Sequence, residues 1–326
     1  MNWKNKTVLL TGGTGSFGQK FTEIVLKKYK PKVIRIFSRD ELKQWEMEKK
    51  FNQDERLRFF IGDVRDKDRL ERAAEGADII VHAAALKQVP LCEYNPFEAI
   101  KTNILGAQNV VSVAIDHNIE KVIAISTDKA VNPVNLYGAT KMCMEKLFVA
   151  ANSYVGPKRK TRMSCVRYGN VVGSRGSVIP LFKKQRTSGQ VTVTDKRMTR
   201  FWITLSQGVE FVIGCIERMQ GGEVFVPKCR SMRIAELAQA IAPKCKIKYT
   251  GIRPGEKIHE CLITEDESRH AFEFDNLFVI TPEHPWWTEA EFKPGNKIRE
   301  GFRYSSDTNQ HWLTHQELME MLDGLE

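Results

Sequence analysis

Between Ser126 and Lys141 one short stretch gathers hydroxyls, a carboxylate, two ammonium groups and a phenol. Ser126, Thr127, Asp128 and Lys129 follow the apolar run Val122 to Ile125, and Tyr137 and Lys141 come after them, four residues apart. On a helix that spacing puts the phenol and the second ammonium on one face. A cation beside a phenol favours the phenolate, which brings a group titrating near pH ~10 toward neutrality. Tyr137 is therefore the leading proton acceptor. The same pair alone also describes a solvated helix face, so the elements around it decide.

Val122 to Ile125 reads as a buried strand that opens into Ser126–Lys129. Ligands of open α/β sheets sit outside the carboxyl ends of strands, where these polar groups stand. An earlier strand, Thr7 to Thr11, runs into Gly12, Gly13, Gly15 and Gly18, followed at helical spacing by Phe21, Ile24, Val25 and Leu26. Glycines between strand and helix allow a tight turn and close backbone approach to a pyrophosphate, with the helix amino terminus facing the negative charge. A second strand, Val33 to Phe37, closes in Ser38-Arg39-Asp40. NAD-selective folds commonly place an acidic residue there, whereas an arginine accommodates a 2′-phosphate. Arg39 with Ser38 thus points to NADP over NAD; otherwise Arg39 is an exposed residue ahead of a helix capped by Asp40.

Further strands are expected at Leu57 to Ile61, Asp78 to Val81 and Arg162 to Arg167, with a long helix from Asn95-Pro96 to about His117 and another from Tyr137 through Ala151. This alternation predicts an α/β fold, a doubly wound, mainly parallel Rossmann sheet, with a smaller carboxyl-terminal lobe. The expected division is 1–172 for the dinucleotide-binding domain and 173–326 for the substrate lobe. A return segment near 198–226 is expected to rejoin the main sheet through Glu223 to Val226. Thr314 to Glu317 reads as a capping box opening a final helix.

Lysine and arginine number 50 against 40 acidic residues, a net charge of +10 in 326 residues. The positive residues are scattered and the densest cluster, Lys158-Arg159-Lys160, reads as a solvated loop; nucleic acid is not an expected partner. A modest positive excess suits phosphorylated ligands. Seven cysteines without a C-x-x-C pair argue against a disulfide framework or a metal site and for a reduced, cytoplasmic protein. Met1 to Lys6 leads straight into the first strand without a signal peptide, and no apolar run approaches the ~20 residues of a membrane helix.

The sequence resembles the extended short-chain dehydrogenase/reductase superfamily and, within it, the inverting UDP-N-acetylglucosamine 4,6-dehydratases. The residues carrying the match are Thr11 to Gly18, Ser38 to Gln44, His82 to Pro90, Ser126 to Ala130, Tyr137 to Lys141, Arg167 to Gly173 and Arg253 to Lys257. The resemblance implies that NADP lies along Gly12, Thr14, Gly15, Ser16, Phe17 and Gly18, with Ser38, Arg39, Asp40 and Lys43 at its 2′-phosphate. Asp63 and Val64 would hold the adenine edge, and Ala83, Ala84, Lys87, Asn103, Tyr137, Lys141 and Asn170 the remainder. The UDP-sugar would meet Lys87, Thr127, Gly169, Asn170 and Val178, the last in an apolar run suited to uracil. Arg200 and Arg253 have the guanidinium fork for a diphosphate, and Glu256 could accept from ribose hydroxyls. His82 reads as a buried, hydrogen-bonded histidine, and Trp286, Trp287, Phe292 and Trp312 as packing residues.

In the implied cycle Tyr137 removes the 4-hydroxyl proton while carbon 4 is oxidised, Lys129 takes the carbon 5 proton, and Asp128 protonates the departing 6-hydroxyl. Lys129 needs a lowered pKa for this, which burial or the nearby Lys141 would supply. The resemblance further implies inversion at carbon 5, an early place in nonulosonic (pseudaminic) acid or surface-glycan synthesis, and a homo-oligomer. That oligomer would be a dimer through the helices around Asn103 and Tyr137, extended to a hexamer in some relatives. The rival readings are a UDP-sugar 4-epimerase, which Asp128-Lys129 disfavours, a retaining dehydratase, and a non-catalytic NADP sensor, which the Tyr137/Lys141 pair disfavours.

Overall fold

The computed structural model describes residues 1–156, 158–173, 178–284 and 295–323. β1 (Thr7–Thr11) is buried along its whole length, as a central parallel strand covered by helices on both faces must be. The glycine turn leads to α1 (Ser16–Ile24), then β2 (Val33–Ser38), α2 (Glu41–Lys50), β3 (Leu57–Ile61), α3 (Lys67–Ala74) and β4 (Ile79–His82). Asp40 and Asp66 each cap the helix that follows by accepting a backbone N–H of its first turn.

The helix expected from residue 95 is three pieces. A short α4 (Val89–Tyr94) precedes it, and a π turn at Lys101–Leu105 separates α5 (Pro96–Ile100) from α6 (Gly106–Asp116). Asn95 gives its side-chain amide to the Leu91 carbonyl instead of capping α5. β5 (Lys121–Ile125), α7 (Leu136–Ala151) and β6 (Arg162–Val166) close the regular alternation.

Further along come β7 (Asn170–Val171), α8 (Val178–Gln185), β8 (Gln190–Val193), β9 (Thr199–Ile203), α9 (Leu205–Arg218), β10 (Val224–Pro227), β11 (Arg230–Arg233), α10 (Ile234–Ile241) and β12 (Lys246–Tyr249). The last elements are β13 (Cys261–Ile263), β14 (Ala271–Glu273), β15 (Leu277–Ile280), β16 (Asn296–Lys297), β17 (Tyr304–Ser305) and α11 (His315–Asp323), the last opened by the Thr314–Glu317 box.

The main sheet runs β3-β2-β1-β4-β5-β6-β10 with every neighbour parallel, then β15, β14 and β16 antiparallel. Its order reverses between β1 and β4, where Thr11 registers with His82, and that switch point opens a crevice for ligands. The sheet thus draws strands from both sides of residue 172: α9 packs on α1 and β5, β10 joins β6, and β14, β15 and β16 add the antiparallel edge. β9, inside the expected return segment, pairs instead with β7 and β11. A second apolar cluster, including Phe182, Val191, Trp202, Leu237 and Leu318, forms its own small core. No helix among the described residues is long and apolar enough to cross a membrane.

Candidate active site

Between the two cores lies a cavity of about 1210 Å³, floored by the carboxyl ends of β1, β4 and β5. At one end Gly12, Thr14, Gly15, Ser16 and Phe17 line it. Gly12 has φ +67°, and a Cβ there would stand 2.8 Å from the Ala84 nitrogen, so only glycine lets this turn lie against the Ala83-Ala84 backbone. No side chain caps α1, which leaves the first N–H groups of that helix for a ligand. Gly18 is off the wall; a Cβ on it would sit 2.2 Å from the Gly13 carbonyl oxygen, so it serves helix-to-turn packing.

Ser38, Arg39, Asp40, Lys43, Asp63 and Val64 form the far end. Asp40 is engaged, accepting from the Lys43 backbone N–H at 3.0 Å and from Lys43 Nζ at 2.5 Å. The half-exposed Arg39 has its guanidinium 3.8 Å from Asp63, whose carboxylate is held more closely by Arg65 at 2.7 Å. Ser38 accepts from Gln44 Nε2 at 3.0 Å. Ala83, Ala84 and Lys87 continue the wall toward the centre, with the Thr102 and Ser126 hydroxyls buried there and without a hydrogen-bond partner. His82 bonds Thr11 Oγ1 through Nδ1 at 2.8 Å, and burial pushes its pKa down to about 3, so it is a neutral structural histidine.

At the centre the turn after β5 meets the start of α7. Gly138 makes this possible: a Cβ there would lie 2.1 Å from the Lys129 carbonyl oxygen. Asn135 caps α7 and gives Nδ2 to the Gly255 carbonyl at 2.8 Å, fastening the Arg253–Lys257 loop to the Tyr137 helix. Lys129, Tyr137 and Lys141 all reach the cavity wall, as does Thr127. Asp128 does not. It is wholly buried behind Lys129, with Oδ1 accepting from Thr127 Oγ1 at 2.9 Å and Lys129 Nζ at 3.0 Å, and Oδ2 unpartnered. Asn103, expected against the cofactor, is also off the wall; it bonds both backbone groups of Leu86 and the Thr140 hydroxyl, and so fixes the loop after β4 to α7.

The electrostatics revise two expectations. Burial pushes Tyr137 up to about 12, against the opposing pull of Lys129 and a Thr127 hydrogen bond. Lys141 points its Nζ at the Met144 sulfur, 2.9 Å away, and desolvation brings its pKa down to about 8. Lys129 goes the other way. Burial favours its neutral form, but Asp128 at 3.0 Å and Glu260 at 3.9 Å overrule it and hold the ammonium above its ordinary value. The lowered lysine expected at this position is thus Lys141, together with Lys87, which desolvation and Lys129 push down.

Gly169, Asn170 and Val178 also line the cavity, with Asn170 Oδ1 3.5 Å from Lys129 Nζ. Residues 174–177, before Val178, lie outside the described residues, as do Trp286, Trp287 and Phe292. Trp312 lies under the Arg233 guanidinium, away from the cavity. Arg200 lines the wall but donates to the carbonyls of Thr199, Lys257 and Ile258, so its fork is spent on backbone. Arg253 and Glu256 pair with each other at the wall, Nη2 to Oε1 at 3.0 Å, with the arginine side chain 70% exposed.

Residues 8–282 match the family of polysaccharide biosynthesis proteins. A UDP-N-acetylglucosamine 4,6-dehydratase (inverting) of Campylobacter jejuni subsp. jejuni is 52% identical over 99% of both chains. The chain belongs to this dehydratase family. A UDP-glucose 4-epimerase of Rickettsia conorii is 45% identical over 85% of this chain and 83% of its own. The solved structure of Pen from Bacillus thuringiensis superposes with a TM-score of 0.91 at 38% identity, covering 100% of this chain and 99% of that one.

Cavity residues of this dehydratase-family chain to which the sequence reading gave no role include Thr102, Asn135, Lys257 and Glu260. Lys257 donates to the Val131 carbonyl at 2.5 Å and lies 3.8 Å from Glu260. Glu260, just ahead of β13, is 2% exposed and reaches the wall beside Lys129 and Arg200. Lys257 ends the Arg253–Lys257 motif and was legible there; Glu260 follows it with no pattern of its own.

Proposed function

We propose that this chain removes water from UDP-N-acetylglucosamine across carbons 5 and 6 with inversion at carbon 5, forming UDP-2-acetamido-2,6-dideoxy-β-L-arabino-hex-4-ulose for glycan synthesis. The observation that carries this reading is Lys129 lining the same cavity as Tyr137, with its Nζ paired at 3.0 Å to the Asp128 carboxylate buried behind it. A 4-epimerase oxidises and re-reduces a single carbon and has no use for a second acid and base beside the phenol. Elimination requires both.

The cavity residues fit a nicotinamide dinucleotide: an uncapped helix amino terminus, a side-chain-free glycine turn and the unpartnered Ser126 and Thr102 hydroxyls. We infer NADP, because Asp40 is engaged as a helix cap while Arg39 is the half-exposed cation at the end of β2. When bound there, such a cofactor would supply the hydride acceptor for carbon 4 and the hydride donor for carbon 6. Tyr137 takes the 4-hydroxyl proton, aided by Lys141 once its ammonium turns from the Met144 sulfur toward the site. The resulting ketone acidifies carbon 5, and Lys129 is the nitrogen beside it. Asn170 steadies Lys129, and the Arg253–Glu256 loop, tied to α7 through Asn135, brings the nucleotide end of the sugar into register. Asn103 acts by positioning.

Seven free thiols suit a reducing cytoplasm. The exposed apolar residues Leu91, Tyr94 and Phe97 on α4 and α5 support a homodimer across these helices, on which a hexamer could be built.

Mass spectrometry after incubation with NADP and UDP-N-acetylglucosamine tests the reading. Loss of one water supports it; unchanged mass with a new diastereomer assigns an epimerase instead. In deuterium oxide, the early product should carry deuterium at carbon 5 in the L-arabino configuration. Deuterium with the original D-xylo configuration leaves the dehydration and removes the inversion.

A further inference from the structure

A lysine held as an ammonium cannot take a proton from carbon. Before Lys129 can act as base, one of its own protons must go elsewhere, and Asp128 and Glu260 are the carboxylates beside it. Asp128 also has an oxygen without a hydrogen-bond partner, Oδ2, but it is wholly buried off the wall and cannot hand a proton to a group in the cavity. Glu260 reaches the cavity, and its Oε2 is buried without a hydrogen-bond partner. Lys129, Arg200 and Lys257 all stand within 4 Å of Glu260, at 3.9, 3.7 and 3.8 Å, too far for hydrogen bonds. The carboxylate is thus surrounded by cations yet has spare capacity to accept a proton.

We propose that Glu260 is the proton partner of Lys129: it receives the proton that Lys129 must shed and passes it to the departing 6-hydroxyl. This rests on the dehydratase reading above. The balance is closed. An N–H bond of Lys129 breaks and an O–H bond forms on Glu260. The carbon 5–hydrogen bond then breaks, its proton restoring the Lys129 ammonium and its electron pair forming the carbon 5–carbon 6 double bond. The carbon 6–oxygen bond breaks with its electrons on oxygen, which takes the Glu260 proton and leaves as water. The ion pair is regenerated, and no net charge moves in or out of the cluster in the first step. Asp128, Lys129, Arg200 and Lys257 face Glu260, and the neighbouring His259 ring is occupied by Thr199 Oγ1 at 2.8 Å. Burial and Asp128 raise the Glu260 carboxyl above the usual range and the three cations oppose them, so it is a group able to hold a proton for a time.

The test uses the full chain with NADP and UDP-N-acetylglucosamine. Glu260→Gln keeps the shape and removes the proton-accepting oxygen. We expect kcat for water loss to fall ~100-fold with KM within about threefold, the scale of a lost acid–base group. Carbon 4 oxidation, read in a single turnover as absorbance of reduced nicotinamide, should persist, so the undehydrated 4-keto sugar accumulates. The limb of the wild-type pH profile belonging to the Lys129–Glu260 pair should vanish. Glu260→Asp, which restores a carboxylate, should recover at least about tenfold of the loss. Glu260→Gln with wild-type water loss and pH profile would overturn the proposal. So would equal loss of oxidation and water loss in both variants, which marks a purely structural residue. Should Glu260→Gln fail to fold, Glu260→Asp decides: water loss falling far more than oxidation supports a proton relay sensitive to reach, and both falling together overturns it. Wild-type protein that yields no dehydrated sugar defeats the dehydratase reading itself, a result distinct from all of these.

Discussion

Lys129 and Lys141 both reach the cavity wall, Lys141 fully buried and Lys129 partly so, yet their protons are held in opposite ways. Lys141 projects from α7 against the Met144 sulfur and near Cys165, and desolvation brings it down to about 8. Lys129 stands in the turn after β5 between Asp128 and Glu260, which together outweigh the tendency of burial to neutralise it. The difference shows that burial alone does not make a lysine a base; the charges buried with it decide. Lys141 can change charge near neutrality unaided. Lys129 needs a partner to relieve it of a proton.

The largest effects should be on turnover. Tyr137→Phe, Lys129→Met and Lys141→Met are each expected to lower kcat at least ~100-fold, measured as water loss from UDP-N-acetylglucosamine. Wild-type turnover in Tyr137→Phe would remove the phenol from the mechanism, and in Lys129→Met would remove the need for any partner.

Stability should separate the two lysines where turnover does not. Lys129→Met leaves Asp128 and Glu260 without the cation they share, and breaking a buried charge pair by removing one member costs about 3–5 kcal/mol. Lys141→Met removes a desolvated ammonium whose depressed pKa represents a penalty on the order of 3 kcal/mol near neutrality. Urea denaturation at pH 7 is therefore expected to show a large loss for Lys129→Met and none, or a gain, for Lys141→Met. Equal losses would mean that packing, not charge, distinguishes the sites.

The pH dependence carries the same contrast with a smaller signal. Lys141 titrates near 8 when folded and near its ordinary 10.5 when unfolded, so between those values the unfolded chain holds more protons. Stability from this group then rises with pH, by at most about 1.4 kcal/mol per pH unit. For Lys129 the folded value is raised above 10.5, so its contribution is complete below that pH and is lost as pH climbs through the folded value. Subtracting each methionine variant from wild type should give difference curves of opposite slope, one rising from about pH 8 and one falling above about pH 10.5.

Much of this site was legible in sequence because it depends on local spacing. The glycine turn, the polar break after β5 and the Tyr137–Lys141 pair are set by neighbours, and the strands follow from apolar runs. What escaped depends on partners distant in the chain. Lys129's raised basicity requires Glu260, Arg200's commitment requires the carbonyls of Lys257 and Ile258, and Asn103's positioning role requires Leu86 and Thr140. The antiparallel edge of β14, β15 and β16 was hidden because short strands such as Ala271–Glu273 have too few residues to show a period.

The exposed cations extend the comparison, since water already solvates them. Arg39 has only a 3.8 Å contact with Asp63. Arg39→Ala should therefore leave stability nearly unchanged while weakening NADP about tenfold or more relative to NAD, the worth of a charged hydrogen bond to the 2′-phosphate. Titrations with both cofactors decide this. Equal weakening would show that Arg39 does not read that phosphate.

Arg253 should give the smallest stability effect of all. It pairs with Glu256 at 3.0 Å, but its side chain is 70% exposed, so solvent screens the pair and holding both side chains in place costs entropy. Arg253→Gln is expected to change unfolding free energy by less than about 1 kcal/mol, far from the loss at Lys129. Its effect should appear in binding instead. A guanidinium that forks a diphosphate must leave Glu256 for the ligand, and its removal should raise KM for UDP-N-acetylglucosamine about tenfold with kcat held. Because Arg200 has spent its donors on backbone carbonyls, it cannot take over that task. An unchanged KM in Arg253→Gln would therefore place the diphosphate elsewhere on the wall and leave Arg253 a solvated ion pair.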